Sequence, residues 1–372
     1  MVIERKLDIL PLGEWDIFPS GEPLIIAGPC SAESQSQVMD TATALNDIGI
    51  KVFRAGIWKP RTHPDTFEGV GAGGLEWLKK VKRQLGMKIC TEVALPSHVS
   101  ECVAAGVDML WIGARTTANP FLVQEIADAL RYTDMPVLVK NPVSADLDLW
   151  IGALERLNQA GIRKLGVIHR GFSTFENIPY RNSPQWQIAI EMRSRYPELP
   201  FFCDPSHMAG DRRYIREISQ QSLDLGLDGL MIESHCDPLS AKSDANQQLT
   251  PHGLAEMLAS LTVRKHDSDS PEYKENIDHL RAKIDVIDEN ILYVLGSRMK
   301  ISAEIGKYKK DNNIAILQTS RWDSVLEKVV AKGKEYGLSE KFVSTVFNAI
   351  HEASVRVQND ILEAGLREDS QK

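Results

Sequence analysis

Short apolar runs recur along the first two thirds of the chain. Each ends at a polar break and is followed by a segment with apolar residues at every third or fourth position. The runs are "PLIIAGP", "KVFRAG", "KICTEV", "MLWIGA", "VLVKNP", "LGVIHRG", "PFFCDPSH" and "GLMIESH", from residue 23 to about residue 260. Such runs predict buried strands, and segments such as Gln35 to Ile48 and Pro120 to Tyr132 predict helices between them. Strand-helix alternation repeated eight times over about 240 residues predicts an α/β fold, a (β/α)8 TIM barrel. A doubly wound open sheet is the alternative, but it usually has fewer strands and no G-x-G-x-x-G follows the first one.

The pattern changes at "TVRKHDSDSPEYKEN", residues 262–276, which is polar, charged and poor in large apolar residues. It reads as a linker between a barrel over residues 1–261 and an all-helical domain over residues 277–372. Beyond it, Ile277, Leu280, Ile284, Ile287, Ile291, Leu295, Met299, Ile301 and Ile305 form one helical stripe without a proline. A helix from Ile277 to Lys309 would be about 50 Å long at 1.5 Å per residue. The following helices, about Gln318 to Glu335 and Ser339 to Leu362, are shorter and cannot easily cover that stripe. A second copy of the chain is the expected cover, making a homodimer or a higher homo-oligomer.

Composition narrows the function. The net charge is −8 and the pI about 5.7, with both signs interspersed, so no basic face exists for nucleic acid or a membrane surface. The N-terminus "MVIERKLDIL" carries charges where a signal peptide would be apolar, and no run approaches a membrane span; a cytoplasmic protein is expected. Cys30, Cys90, Cys102, Cys203 and Cys236 are odd in number and widely spaced, which argues for reduced thiols rather than a disulfide framework.

In a barrel of this kind the active site is built at the C-terminal ends of the strands. Reading those ends in order gives Cys30, Arg54 with Lys59, Glu92, Arg115, Lys140, Arg170, His207 and Glu233. Taken singly, Cys30 reads as a small buried hydrophobe, each cation as a solvated loop residue, and His207 as a core histidine held by Asp204 or Ser206. Together with Arg61 the cations supply six positive charges around one mouth, which calls for an anion, and one or two phosphorylated substrates fit best. Cys30, His207, Glu233 and Asp244, the last in the loop after the final strand, could share one divalent metal. Mn, Fe, Co, Zn or Cu would suit such S, N and O donors.

"AGPCS", "FRAG" followed by "KPRT", "EV", "IGARTT", "VKNP", "DPSHMAG", "MIESH" and "SDANQQL" resemble, in order, the motifs of the shorter bacterial 3-deoxy-D-arabino-heptulosonate 7-phosphate (DAHP) synthases of the shikimate pathway. The resemblance implies a metal-dependent condensation of phosphoenolpyruvate with erythrose 4-phosphate. It implies Cys30, His207, Glu233 and Asp244 as metal ligands, and Arg54, Lys59, Arg115, Lys140 and Arg170 around phosphoenolpyruvate. Arg61 and Thr62 would hold the aldose phosphate, and Lys59 would also be the proton donor. The related 3-deoxy-octulosonate 8-phosphate synthases, the alternative for the barrel, typically carry an Ala-Asn-Arg-Ser stretch where this chain has Pro60-Arg61-Thr62. Departures are His169, where the family commonly has Glu, and "HPDTFEG" after "KPRT".

Residues 277 to 362 are similar to the all-helical chorismate mutases without a gap. That resemblance implies conversion of chorismate to prephenate with Arg281 and Arg298 on the carboxylates and Lys309 and Gln358 at the ether oxygen. By the same resemblance Gln318 would be a further substrate contact. Arg298 and Lys309 lie three turns apart on one face, whereas Arg281 is rotated by about 100°, consistent with the resemblance, which implies that a residue at the Arg281 position reaches into the partner's site. Trp322 stands where the family often has an acidic residue and Gln318 where Asp is common; the domain is expected to be a working mutase that also gives feedback inhibition of the barrel by prephenate or chorismate, the alternative being a weak mutase that acts only as a sensor.

Overall fold

The computed structural model describes residues 6–18, 23–60, 66–175, 177–264, 268–317 and 319–369, and it divides into two compact units, Met1–His266 and Asp267–Lys372. In the first, the strands β1 (Leu24–Gly28), β2 (Val52–Arg54), β3 (Lys88–Val93), β4 (Met109–Ile112), β5 (Val137–Lys140), β6 (Leu165–His169), β7 (Phe201–Cys203) and β8 (Gly229–Glu233) pair in parallel in chain order. The barrel closes where β1 pairs with β8. Each strand falls inside one of the apolar runs that predict it.

The helices of this unit are α1 (Gln35–Asp47), α2 (Gly73–Leu85), α3 (Pro96–Ala105), α4 (Ala114–Thr117), α5 (Pro120–Leu130), α6 (Leu147–Gln159), α7 (Trp186–Arg195), α8 (Pro205–Ala209), α9 (Ile215–Asp224) and α10 (Pro251–Ala259). Outward-facing strand residues such as Phe53, Ile89, Val139 and Phe201 pack with them in one core. Inward-facing Ile26, Val52, Cys90, Met109, Trp111, Leu138, Ile168, Phe202 and Met231 fill the barrel itself, with Trp15 and Ile17 joining the cluster.

Side chains two positions apart on a strand share a face. Moving two residues beyond Val52, Cys90, Leu138, Ile168, Phe202 and Met231 therefore reaches Arg54, Glu92, Lys140, Arg170, Asp204 and Glu233. The inner face that is apolar in the barrel becomes charged at its C-terminal rim. The run "PFFCDPSH" stops as a strand at Cys203, because Pro205 has no N–H for the ladder. Asp204 instead caps α8, accepting from the His207 N–H at 3.0 Å.

The second unit consists of α11 (Pro271–Asp311), α12 (Thr319–Glu335) and α13 (Glu340–Asp369), with α13 packed on both others. α11 starts earlier than Ile277, inside the predicted linker. Ser270 caps it by accepting from the Tyr273 N–H at 3.3 Å, and Pro271 occupies its first turn. α13 likewise continues past Leu362. Leu280, Ile284, Ile287 and Ile291, on the N-terminal half of α11, stay 50–57% exposed. Among the described residues no helix is long and apolar enough to cross a membrane.

Candidate functional site

The rim charges converge on a cleft of about 180 Å³ lined by Lys59, Arg115, Lys140, Arg170, His207 and Asp244, among others. Arg54 is buried beneath it and pairs through Nη2 with Glu233 Oε1 at 3.2 Å. Its Nε and Nη1 are also buried and meet no acceptor among the described residues. Lys140 Nζ pairs with Asp204 Oδ2 at 2.6 Å. Arg170 donates to Asn182 Oδ1 at 2.8 Å, and its backbone N–H donates to Asn141 Oδ1 at 2.7 Å. Burial lowers Arg170 to about 10, and the Arg181 and Arg115 guanidinium groups act in the same direction while Asp204 and Asp244 oppose it. Cations crowded out of water in this way favour an anion between them.

Four potential metal donors meet beside these cations in two close pairs. Cys30 Sγ stands 3.2 Å from Asp244 Oδ2, and His207 Nε2 stands 3.7 Å from Glu233 Oε1. Among the described residues no three His, Cys, Asp or Glu side chains are already gathered as a metal cage. The His207–Glu233 spacing suits one ion, because donors 2.0–2.3 Å from a shared tetrahedral centre lie about 3.3–3.8 Å apart, and the Cys30–Asp244 spacing falls just short of that range. His207 Nδ1 is 2.8 Å from Asp204 Oδ2, off the line that a ring N–H would take. This contact sets a carboxylate beside Nδ1 and leaves Nε2 as the nitrogen facing Glu233.

The electrostatics agree with that donor set. Burial pushes the Cys30 thiol up to about 12, with Glu233 and Asp244 adding to it against Lys59 and Arg54, so the thiol is protonated unless a cation joins it. Burial lowers His207 against the pull of Asp204 and Glu233, toward the neutral imidazole that ligates metals. Burial alone would raise Glu233 and Asp244, but His207 and the arginines Arg54 and Arg181 outweigh it and both carboxyls are lowered. Lys59 Nζ lies 3.2 Å from Cys30 Sγ and 3.1 Å from its carbonyl oxygen. In chemistry Cys30, His207, Glu233 and Asp244 are donors suited to a divalent ion, two pairs rather than a formed cage, with Lys59 against Cys30.

In the helical unit Arg298 donates to Ser354 Oγ, and Lys309 Nζ to the Ile316 carbonyl at 2.5 Å. Gln358 is buried, with its Oε1 lacking a partner among the described residues. It passes close to α11 because residue 306 is glycine; a Cβ there would stand 3.2 Å from the Gln358 Cα. Trp322 stacks on His351 with centroids 4.0 Å apart, and the nearby Arg298 helps burial to lower that imidazole. Arg281 does not join this group. Its side chain is 71% exposed and lies 3.7 Å from Asp278 Oδ1. Arg61, Thr62 and Gln318 lie outside the described residues.

Several partners are not among the residues singled out from sequence. Arg181 Nη1 holds Asp244 Oδ1 at 2.8 Å, Gln247 Nε2 holds Glu233 Oε2 at 2.8 Å, and Gln248 Oε1 accepts the Cys30 N–H at 3.0 Å. Asp204, named from sequence only as a possible holder of His207, also pairs with Lys140. The two glutamines belong to "SDANQQL" and were within reach as motif residues, whereas nothing local marks Arg181, Asn182 or Ser354. A larger cleft, about 610 Å³, lies by Leu199, just before β7, away from this chemistry. Of its charged residues Lys6, Asp8, Arg195 and Glu198, Asp8 is engaged with Arg163 and Arg195 with Glu191.

Residues 17–267 match the DAHP synthetase I family and residues 280–359 match chorismate mutase type II. A phospho-2-dehydro-3-deoxyheptonate aldolase of Thermotoga maritima is 34% identical over 241 residues, which are 65% of this chain and 69% of that protein. A 2-dehydro-3-deoxyphosphooctonate aldolase of Methylococcus capsulatus is 31% identical over 253 residues, 61% of this chain and 84% of the relative. The crystal structure of the Thermotoga maritima DAHP synthase superposes with a TM-score of 0.60 at 29% identity, covering 73% of this chain and 74% of the other. Barrel, rim chemistry and relatives agree: the chain belongs to the DAHP synthetase I family and carries a type II chorismate mutase domain behind its barrel.

Proposed function

We propose that the barrel condenses phosphoenolpyruvate with erythrose 4-phosphate and that the helical unit rearranges chorismate to prephenate. The observation that carries the first half is Arg54, buried with two nitrogens facing no acceptor among the described residues, in a mouth that Lys59, Arg115, Lys140 and Arg170 share. An enol phosphate with a carboxylate and a phosphate at opposite ends matches those separated donors, Arg forks taking oxygens in pairs. Held there, carbon 3 of the enol is presented to the aldehyde of the second substrate, for which Arg61 and Thr62 of "KPRT" are the proposed phosphate contacts. A divalent ion on Cys30, His207, Glu233 and Asp244 would supply Lewis acidity at the aldehyde oxygen. Lys59 Nζ, charged and next to Cys30, delivers the proton that this oxygen takes up as the carbon–carbon bond forms. Water then adds at carbon 2 and inorganic phosphate departs.

Chorismate rearrangement is unimolecular and requires only that a dianion be held compact, with donors where the ether oxygen gains charge. Arg298 takes a carboxylate, while Lys309 and Gln358 face the ether oxygen. Arg281 serves the site of a second copy, which also covers the exposed Leu280, Ile284, Ile287 and Ile291. Trp322, stacked on His351 beside Arg298, supports a second reading in which the domain turns over slowly and chiefly senses prephenate or chorismate. Both readings are tested by assaying the full chain for each reaction with and without a chelator. Chelation is expected to abolish condensation and leave the mutase untouched. Full condensation in verified metal-free protein would refute the metal assignment, and a chain inactive on chorismate would leave only the sensor role.

A further inference from the structure

In β4 the inner face does not turn charged. Two positions beyond Met109, where β2, β3 and β5 place Arg54, Glu92 and Lys140, stands Trp111, fully buried. The Arg54 guanidinium carbon lies 4.9 Å from the centroid of its ring, and Lys140 Nζ lies 5.9 Å from it. The indole N–H donates to Glu92 Oε2 at 3.2 Å. The other oxygen of that carboxylate occupies space left open by Gly113, since a Cβ there would stand 2.0 Å from Glu92 Oε1. One indole thus touches a cation from β2, a cation from β5 and the carboxylate of β3.

Two cations held together out of water repel each other, even with Arg54 paired to Glu233 and Lys140 to Asp204. The negative face of an indole attracts both, more strongly for being desolvated. We propose that Trp111 is a positioning residue for the enol phosphate, its ring holding Arg54 and Lys140 in place before the anion arrives while its N–H keeps Glu92 aside. This deepens the phosphoenolpyruvate reading of the mouth and rests on it. Preorganised cations spare the anion the cost of gathering them.

The test keeps the indole framework and its N–H donor and weakens chiefly the negative ring face. Tetrafluorotryptophan placed at position 111 of the full-length holoenzyme retains the ring and the N–H but withdraws the negative charge of the ring face. Phosphoenolpyruvate binding by calorimetry, both Michaelis constants, kcat and the melting temperature are compared with the unmodified holoenzyme and with Trp111→Leu. The expected result is about a tenfold weaker Kd and a higher KM for phosphoenolpyruvate in the fluorinated protein, with the erythrose 4-phosphate KM and melting temperature unchanged. Trp111→Leu is expected to lose at least as much. Unchanged phosphoenolpyruvate affinity in the fluorinated protein, or a lowered melting temperature as its sole effect, would reduce Trp111 to packing and overturn the inference. An unmodified holoenzyme that does not bind phosphoenolpyruvate would overturn the underlying reading instead.

Discussion

His169 offers a stability test that is independent of the metal. It is fully buried at the end of β6 between aromatic rings, with Trp186 and Phe172 at centroid distances of 5.3 and 5.5 Å. Its Nε2 lies 2.6 Å from the Pro184 carbonyl oxygen, which makes Nε2 the protonated nitrogen, and Nδ1 has no partner among the described residues. Burial, helped by Arg170, lowers it from 6.5 to about 4 against the pull of the Pro184 carbonyl. Between these values the unfolded chain binds a proton and the folded chain does not, so stability is complete above pH 6.5 and falls with acidity. At about 1.4 kcal/mol per pH unit the total loss on reaching pH 4 is about 3 kcal/mol, and about 2 kcal/mol of it comes between pH 6.5 and pH 5. Burial also lowers His98, His207 and His235, so the whole protein loses more than this. The share of His169 is isolated by His169→Gln, whose amide N–H can reach the same carbonyl without titrating. Urea unfolding of the barrel from pH 8 to pH 5 should show the variant less stable at pH 8 or equal to the parent, but shallower in its decline by about 2 kcal/mol at pH 5. Parallel decline of the two proteins would show that His169 is not held neutral.

Three further outcomes concern function. Pro60-Arg61-Thr62 favours the four-carbon sugar, so kcat/KM should be far higher with erythrose 4-phosphate than with arabinose 5-phosphate, and comparable values would make the octulosonate reading correct. Mixing Arg281→Ala and Arg298→Ala chains should restore some chorismate turnover that neither has alone; no recovery after proven subunit exchange would mean that sites are not shared. Prephenate should inhibit condensation in the full chain and lose that effect when the residues after 262 are removed, since coupling needs a second site with different affinity in two states. An active truncated barrel still inhibited by prephenate would place the effector site in the barrel.

The barrel was legible because its strands are apolar on both faces, which leaves continuous runs such as "LIIA" and "VLVK" that no loop imitates. The rim was legible for a related reason: a charge that ends an apolar strand at the same parity as its interior residues must point into the mouth, as Arg54, Lys140 and Glu233 do. Contacts made across loops left no such trace. Arg181 and Asn182 reach the site from the segment between β6 and α7, far along the chain from Asp244 and His207, whose side chain and carbonyl they meet. The strand-like run before His207 hid a short helix, whose start depends on Asp204 turning back to cap it. In the helical unit the 3.6-residue period exposed the stripe of α11, but the polar first turn of that helix reads as linker because charge without apolar periodicity carries no helical signal.

Asp204 ties two halves of the chemistry to one gene position. The same buried carboxylate holds Lys140, a proposed contact of the enol phosphate, touches His207, a proposed metal ligand, and caps the turn that presents His207 at all. A descendant of this barrel that drifted toward another metal, or toward none, could not do so by altering Asp204 without also disturbing the grip on its anion. Cys30 and Asp244 carry ties of the same kind, the thiol standing 3.2 Å from Lys59 and the carboxylate 2.8 Å from Arg181, so a change at any of these ligands also disturbs a cation beside it.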